Sequence, residues 1–225
     1  MDFKKNKYVI IKNAIDKDLA TFLFNYLCMK KQVYDTCLQE KYISPYEILL
    51  GTYDDLQVPN TYSIYADVAM ETLMLKCQPG MEKATGLKLY PAYTFARIYK
   101  KGDILKRHKD RFSCEISTTM NLGGDDWPIY LDPTGQSSVR PNAGEDIEES
   151  KRLVKNPNKG VKVNLKPGDM LVYRGCELEH WRNKFKGKEC CQVFLHYNNA
   201  KTKGSRENMF DKRKHLGLPS WFVRT

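Results

Sequence analysis

Apolar residues recur at helical spacing in the first part of this chain. Leu19, Phe22, Leu23, Tyr26 and Leu27 follow Asp16, a good N-cap, and predict an amphipathic helix whose stripe packs on a sheet. A second helical stretch runs over 65–76, and Pro79-Gly80 either breaks it or starts another turn. Between the two, residues 42–60 have mixed polarity, two prolines and no period, which predicts a loop able to reach over a binding site. From Leu89 the pattern changes to short strands, expected over 93–99, 104–110, 115–122, 129–131, 161–165, 170–173 and 192–197. The run through Lys166-Pro167-Gly168-Asp169 reads as strand, turn, strand, a hairpin signal. Residues 133–159 are rich in Gly, Ser, Asn, Pro and charge and read as a long insertion between strands. Many short strands with Gly, Pro and Asp turns predict a sandwich or jelly roll behind supporting helices, a mainly β, α+β chain.

The organisation expected is one domain over 1–225, with a helical support region over 1–88, a β core over 89–200 and a basic segment over 201–225. There is no internal repeat. With 225 residues and 41% hydrophobic positions, the chain is long and apolar enough for a substantial core. No apolar run is long enough to span a membrane, and the start lacks the apolar core of a secretory signal. Seven scattered cysteines with no CxxC pair fit free thiols in a reducing cytoplasm. The net charge of +10 permits nucleic acid or an acidic partner, but no nucleic-acid motif supports the first. Of the basic stretches, Lys201-Thr202-Lys203-Gly204-Ser205-Arg206 reads as a solvated loop.

The candidate chemistry lies in His108, Asp110 and His180. Residues two apart on a strand point to the same side, so the H-x-D pair can aim both ligands at one point. His180, in Glu179-His180-Trp181, is the candidate third ligand. Two imidazoles and one carboxylate can hold one face of an Fe(II) ion and leave three positions open, as in non-heme Fe(II) oxygenases. His196 alternates with Phe194 and reads as a structural histidine, and His215 is assigned no role. Trp127 and Trp181 read as packing residues, although Trp181 could also shield the metal. Thr119 and Asn121, on the strand after H-x-D, are candidates for polar contacts.

The stretch from Tyr93-Thr94-Phe95-Ala96-Arg97-Ile98-Tyr99 through Gly102 to His108-Lys109-Asp110 resembles the first metal-ligand region of the 2-oxoglutarate- and Fe(II)-dependent dioxygenases. It is most similar to the prolyl 4-hydroxylase-like branch, and the later Lys166-Pro167-Gly168-Asp169 turn with His180 resembles that family's second-histidine region. The resemblance covers 89–197, with gaps across the insertion. It implies a double-stranded β-helix, a cupin-like jelly roll, with the metal at its open end. It also implies Fe(II), 2-oxoglutarate as cosubstrate, and O2. The implied reaction couples decarboxylation of 2-oxoglutarate to hydroxylation of a protein residue or a small molecule.

The family usually carries an Arg or Lys nine or ten residues after the second histidine to pair with the distal carboxylate of 2-oxoglutarate. Here those positions are Glu189 and Cys190. Lys188, one residue earlier, is the first candidate, on a register that shares a face with Cys190, Gln192 and Phe194. Arg182 is the second, and Arg97 and Arg111 are further ones. Tyr99 matches the family tyrosine that hydrogen-bonds the cosubstrate, or it is a core aromatic. If no cation reached the metal pocket, a non-catalytic metal-binding jelly-roll module would be the better reading.

Overall fold

The computed structural model describes residues 2–136 and 157–224. Its helices are α1 (Phe3–Asn6), α2 (Lys17–Gln39) and α3 (Val68–Thr85). Its strands are β1 (Tyr8–Ile11), β2 (Ser63–Tyr65), β3 (Leu89–Lys100), β4 (Leu105–His108) and β5 (Ile116–Gly124), followed by β6 (Ile129–Leu131), β7 (Val161–Val163), β8 (Met170–Arg174), β9 (His180–Arg182) and β10 (Glu189–Asn199). They form a six-stranded sheet ordered β1-β8-β5-β10-β3-β2 and a four-stranded sheet ordered β4-β9-β6-β7. The strand pairings are antiparallel. Two facing antiparallel sheets behind helices make the expected jelly-roll core.

Period-two burial explains the layering. On β10, Cys191, Val193, Leu195 and Tyr197 pack under the helices with Ala96 and Ile98 of β3. The alternate residues face the space between the sheets. Their register pairs Cys190 with Tyr99, Gln192 with Arg97, Phe194 with Phe95, and His196 with Tyr93. The helices contribute Leu23 and Leu27 from α2 and Met70, Leu73, Met74 and Met81 from α3 to the outer layer. Each such side chain stabilises the fold by about 1.5–3 kcal/mol.

The helix starts follow from capping. Asp16 accepts the N–H of Leu19, and Asp67 accepts those of Ala69 and Met70. Three details differ from the sequence reading. Phe22, placed on the buried stripe, is exposed, because the stripe that meets the sheet runs through Ala20, Leu23 and Leu27. The second helix begins at Val68, since Ser63–Tyr65 pairs with β3 as a strand, and it continues through Pro79 to a left-handed Gly86 cap. Cys77 and Met81, buried on either side of Pro79, hold that helix together by packing. The Pro167-Gly168 turn does not close a hairpin either. β7 pairs with β6 in one sheet, and β8 pairs with β1 and β5 in the other, so the turn carries the chain between sheets. Gly168 makes that crossing at φ +88°, where a Cβ would overlap the Ile15 carbonyl.

The insertion expected over 133–159 lies mostly outside the described residues. The C-terminal segment is more built than a solvated loop. Lys201, Lys203 and Arg206 are exposed, but Ser205, Asn208 and Arg213 are buried. Arg213 pairs with buried Glu71 of α3 at 2.6 Å. Among the described residues, no helix is long and apolar enough to cross a membrane.

Candidate metal centre and its cavity

Ladder pairing brings His180 to the His108-Asp110 pair, which the chain itself keeps together. β4 and β9 are antiparallel neighbours, and His108 stands opposite His180. The carboxylate follows two residues after His108, where the Asp110 N–H donates to the Gly175 carbonyl. Asp110 Oδ1 then lies 3.6 Å from His108 Nε2 and 3.4 Å from His180 Nε2. Ligand atoms about 2.1 Å from a first-row divalent ion and at right angles to one another lie about 3 Å apart. The group therefore fits a metal with little adjustment.

Each histidine presents the correct nitrogen. His108 Nδ1 is 2.7 Å from the Lys106 carbonyl, and His180 Nδ1 is 3.1 Å from that of Leu178. A carbonyl only accepts, so both Nδ1 atoms carry hydrogen and both Nε2 lone pairs face inward. Burial alone would raise the Asp110 carboxyl, but His180 and His108 beside it hold it well below the usual range. Burial would lower His180, yet Asp110 outweighs it and raises the imidazole. A metal ion would take the place of that proton.

Gly175 makes room for the carboxylate. A Cβ there would overlap Asp110 Oδ2 and the Cys114 carbonyl. Ser117 Oγ donates to Asp110 Oδ2 at 2.7 Å and lies 3.0 Å from His196 Nδ1. His196 is thus a buried, partnered histidine, as expected. Burial pushes its imidazole down to about 4. Cys114, whose thiol burial pushes well up, lies 3.0 Å from the Tyr93 hydroxyl.

The ligands open into a cavity of about 150 Å³. Its lining includes Tyr93, Phe95 and Tyr99 of β3, Phe194 and His196 of β10, and Leu105, Ile129 and Tyr173. Asp55 and Gln57 close the mouth, so the loop expected over 42–60 does reach over the site. The Gln57 amide nitrogen lies 2.9 Å from His108 Nε2, the ligand atom itself.

The four cations singled out in the sequence fall in different places. None of the four is itself among the residues lining the cavity. Lys188 is exposed just ahead of β10, its backbone N–H donating to Asp125. The face it was expected to share does point inward, but only from Cys190 onward. Arg182 is 1% exposed, two residues beyond His180. It donates to the Trp127 carbonyl, to Thr119 Oγ1 at 3.1 Å and to Gln192 Oε1 at 3.2 Å. Among the described residues it pairs with no carboxylate, its Nε has no partner, and burial lowers its basicity. Arg97 pairs with Asp55 at 2.6 Å, and Arg111 with Asp211 at 2.7 Å on the outside.

Tyr99 is fully buried, accepts from Arg97 at 3.3 Å and sits edge-on to Trp127. Thr119 supports Arg182, while Asn121 donates to the Leu165 carbonyl, a structural contact. Trp181 stacks on Tyr130 and Arg107 outside the cavity wall and does not shield the metal position. His215 is exposed. Sequence reasoning missed Gly175, Ser117, Cys114 and Gln57. Only the Gly after the β8 strand pattern carried a local signal.

No protein-family model matches the chain, and no curated protein matches it in sequence. Solved structures do match. The non-heme alpha ketoglutarate dependent epimerase SnoN from nogalamycin biosynthesis aligns at TM-score 0.61 and 11% identity, over 100% of this chain and 92% of that one. HygX from Streptomyces hygroscopicus, solved with nickel and 2-oxoglutarate bound, aligns at 0.57 and 12%, over 88% and 85%. The viral collagen prolyl hydroxylase vCPH from Paramecium Bursaria Chlorella virus-1, in its 2-oxoglutarate complex, aligns at 0.50 and 11%, over 86% and 97%. At these identities the likeness is one of fold. The chain has the jelly-roll fold of the 2-oxoglutarate- and Fe(II)-dependent oxygenases, the fold its sequence resemblance implied.

Proposed function

We propose that a chain with this fold and this donor set is an Fe(II)- and 2-oxoglutarate-dependent oxygenase, a hydroxylase of a peptidyl or small-molecule substrate. The carrying observation is Arg182, a buried guanidinium without a carboxylate partner among the described residues, close behind a His-Asp-His group. A buried charge left alone is costly, so its presence argues for an anion that arrives from outside. The distal carboxylate of 2-oxoglutarate has that chemistry. A metal-binding module without turnover has no use for such a cation.

His108, Asp110 and His180 would hold the iron. Iron with 2-oxoglutarate bound supplies the oxidising chemistry, in which O2 is consumed, succinate and CO2 leave, and one oxygen atom goes to substrate. The protein's own part is positional. The carbonyls of Lys106 and Leu178 fix both imidazoles, and Ser117 fixes the free oxygen of Asp110. Arg182, braced by Thr119 and Gln192, orients the cosubstrate, with Tyr99 beside it. Leu105, Ile129 and Tyr173 add apolar lining to the cavity. The free thiols Cys28, Cys37, Cys77, Cys114, Cys176, Cys190 and Cys191 fit work in a reducing compartment such as the cytoplasm.

The test is anaerobic titration with Fe(II), then 2-oxoglutarate, watching for the weak visible charge-transfer band of the chelate. The reading expects a band that needs both additions and is lost in His180→Ala and Arg182→Gln. Iron binding without a band would leave only the metal-binding module. No iron binding would end both.

A further inference from the structure

Arg97 is the second buried guanidinium inside the barrel, and the reaction as described does not use it. It is 1% exposed and lies on the inward face of β3 between Phe95 and Tyr99. Its carboxylate partner comes from the mouth loop, not from the barrel. Asp55 Oδ2 takes a single bond from Nη2 at 2.6 Å. The other donors are poorly used. Nη1 has only two long contacts, to Gln57 and Tyr99 at 3.3 Å, and Nε has none. A guanidinium offers a fork that a carboxylate fills with two parallel bonds, and Asp55 fills half of it.

The same loop also covers the metal ligand. Gln57, two residues after Asp55, donates its amide to His108 Nε2. A metal needs that lone pair, so Gln57 must leave when the centre is filled. Asp55 and Gln57 are both held to Arg97, which ties the loop's two inward contacts together. If the loop withdraws, a buried cation loses its anion, and another anion must replace it.

On the assumption that the oxygenase reading holds, we infer that the substrate is a small carboxylic acid with an apolar body, whose carboxylate displaces Asp55 from Arg97. Beyond Arg97 the inward rungs are Phe95 with Phe194 and Tyr93 with His196. They offer ring faces and no charge, and Arg97 to Tyr93 spans about 14 Å of strand. A body of apolar carbons lying along these rungs passes the His-Asp-His group. Asp55 is thus a placeholder for the substrate, and the net charge of +10 favours approach of an anion.

The experiment uses the full chain with Fe(II) and 2-oxoglutarate under anaerobic conditions and measures calorimetric binding of 3-phenylpropionate and of 3-phenylpropionamide. The acid should bind about tenfold or more tighter than the amide, the range of a charge-assisted pair. Arg97→Gln should erase that preference while the 2-oxoglutarate band persists. Asp55→Asn, in the loop and away from the core, should tighten the acid several-fold because the competing carboxylate is gone. Equal binding of acid and amide, no binding of the acid at millimolar concentration, or a weaker acid in Asp55→Asn would each overturn the inference. A band lost in Arg97→Gln would reassign Arg97 to the cosubstrate and overturn it too. If wild-type protein gives no band at all, the oxygenase reading fails separately. The acid and amide can still be compared on metal-free protein.

Discussion

His108 and His180 face each other across the β4–β9 ladder, with ring centroids 4.2 Å apart. Neither imidazole depends on the other for its orientation, because each is held by the carbonyl two residues before it. His108→Ala, Asp110→Ala and His180→Ala should therefore each abolish iron-dependent turnover while leaving the fold intact. Circular dichroism and metal analysis check this, and iron retained at wild-type stoichiometry in any of them removes that residue from the ligand set.

Gly175 should tolerate no side chain. Its Cβ would meet the free oxygen of Asp110 and the Cys114 carbonyl. Gly175→Ala is expected to weaken iron binding by at least about tenfold, since support of a metal ligand is worth 10–100-fold. Competitive chelation measures it, and unchanged affinity would show that β8 yields more easily than its packing indicates.

Arg182 and Lys188 separate cleanly. Arg182→Met should lower 2-oxoglutarate affinity by about 100-fold, the upper range for a charge-assisted pair. It should also leave the apo-protein as stable as wild type or more so, by up to about 4 kcal/mol, because an uncompensated buried charge is removed. Lys188→Ala should change neither. Denaturant melts and cosubstrate titrations decide the matter, and a loss of affinity in Lys188→Ala would restore the cation first chosen from the sequence.

His196 gives the pH signature. Its folded pKa is about 4 against a reference of 6.5, so the unfolded chain takes up the proton first. Its burial costs nothing above pH 6.5. As pH falls from 6.5 to 4 the unfolded state gains, by about 3 kcal/mol in all. His196→Phe should flatten the stability profile in that window. An unaltered slope would assign acid sensitivity to other groups.

The β core was legible because alternation of apolar residues survives on strands buried on one face and lining a cavity on the other. The short β9 strand was not, since His180-Trp181-Arg182 is too brief for a period. The three candidate donors that the structure brings together were legible from donor type and spacing. The cation proposed for the cosubstrate was not, because what singles out Arg182 is the carboxylate it lacks among the described residues, and that is a fact of three-dimensional surroundings. Counting from His180 reached Glu189 and Cys190 and led one residue back to Lys188; burial favours Arg182. The Pro167-Gly168 turn announced a reversal truthfully but could not say which sheet received the next strand.

The sheet order carries a kinetic meaning. β1 lies beside β8, and β4 lies beside β9, so the ladders join residues far apart in the chain. Such long closures are slow, and nothing rewards them until both partners are present. His108 and Asp110 are synthesised well before His180, and no two-ligand fragment reproduces the three-sided grip. The His-Asp-His group is thus a late product of folding: a partly made chain lacks its third donor, and the group is complete only once both strands of the β4–β9 ladder are in place.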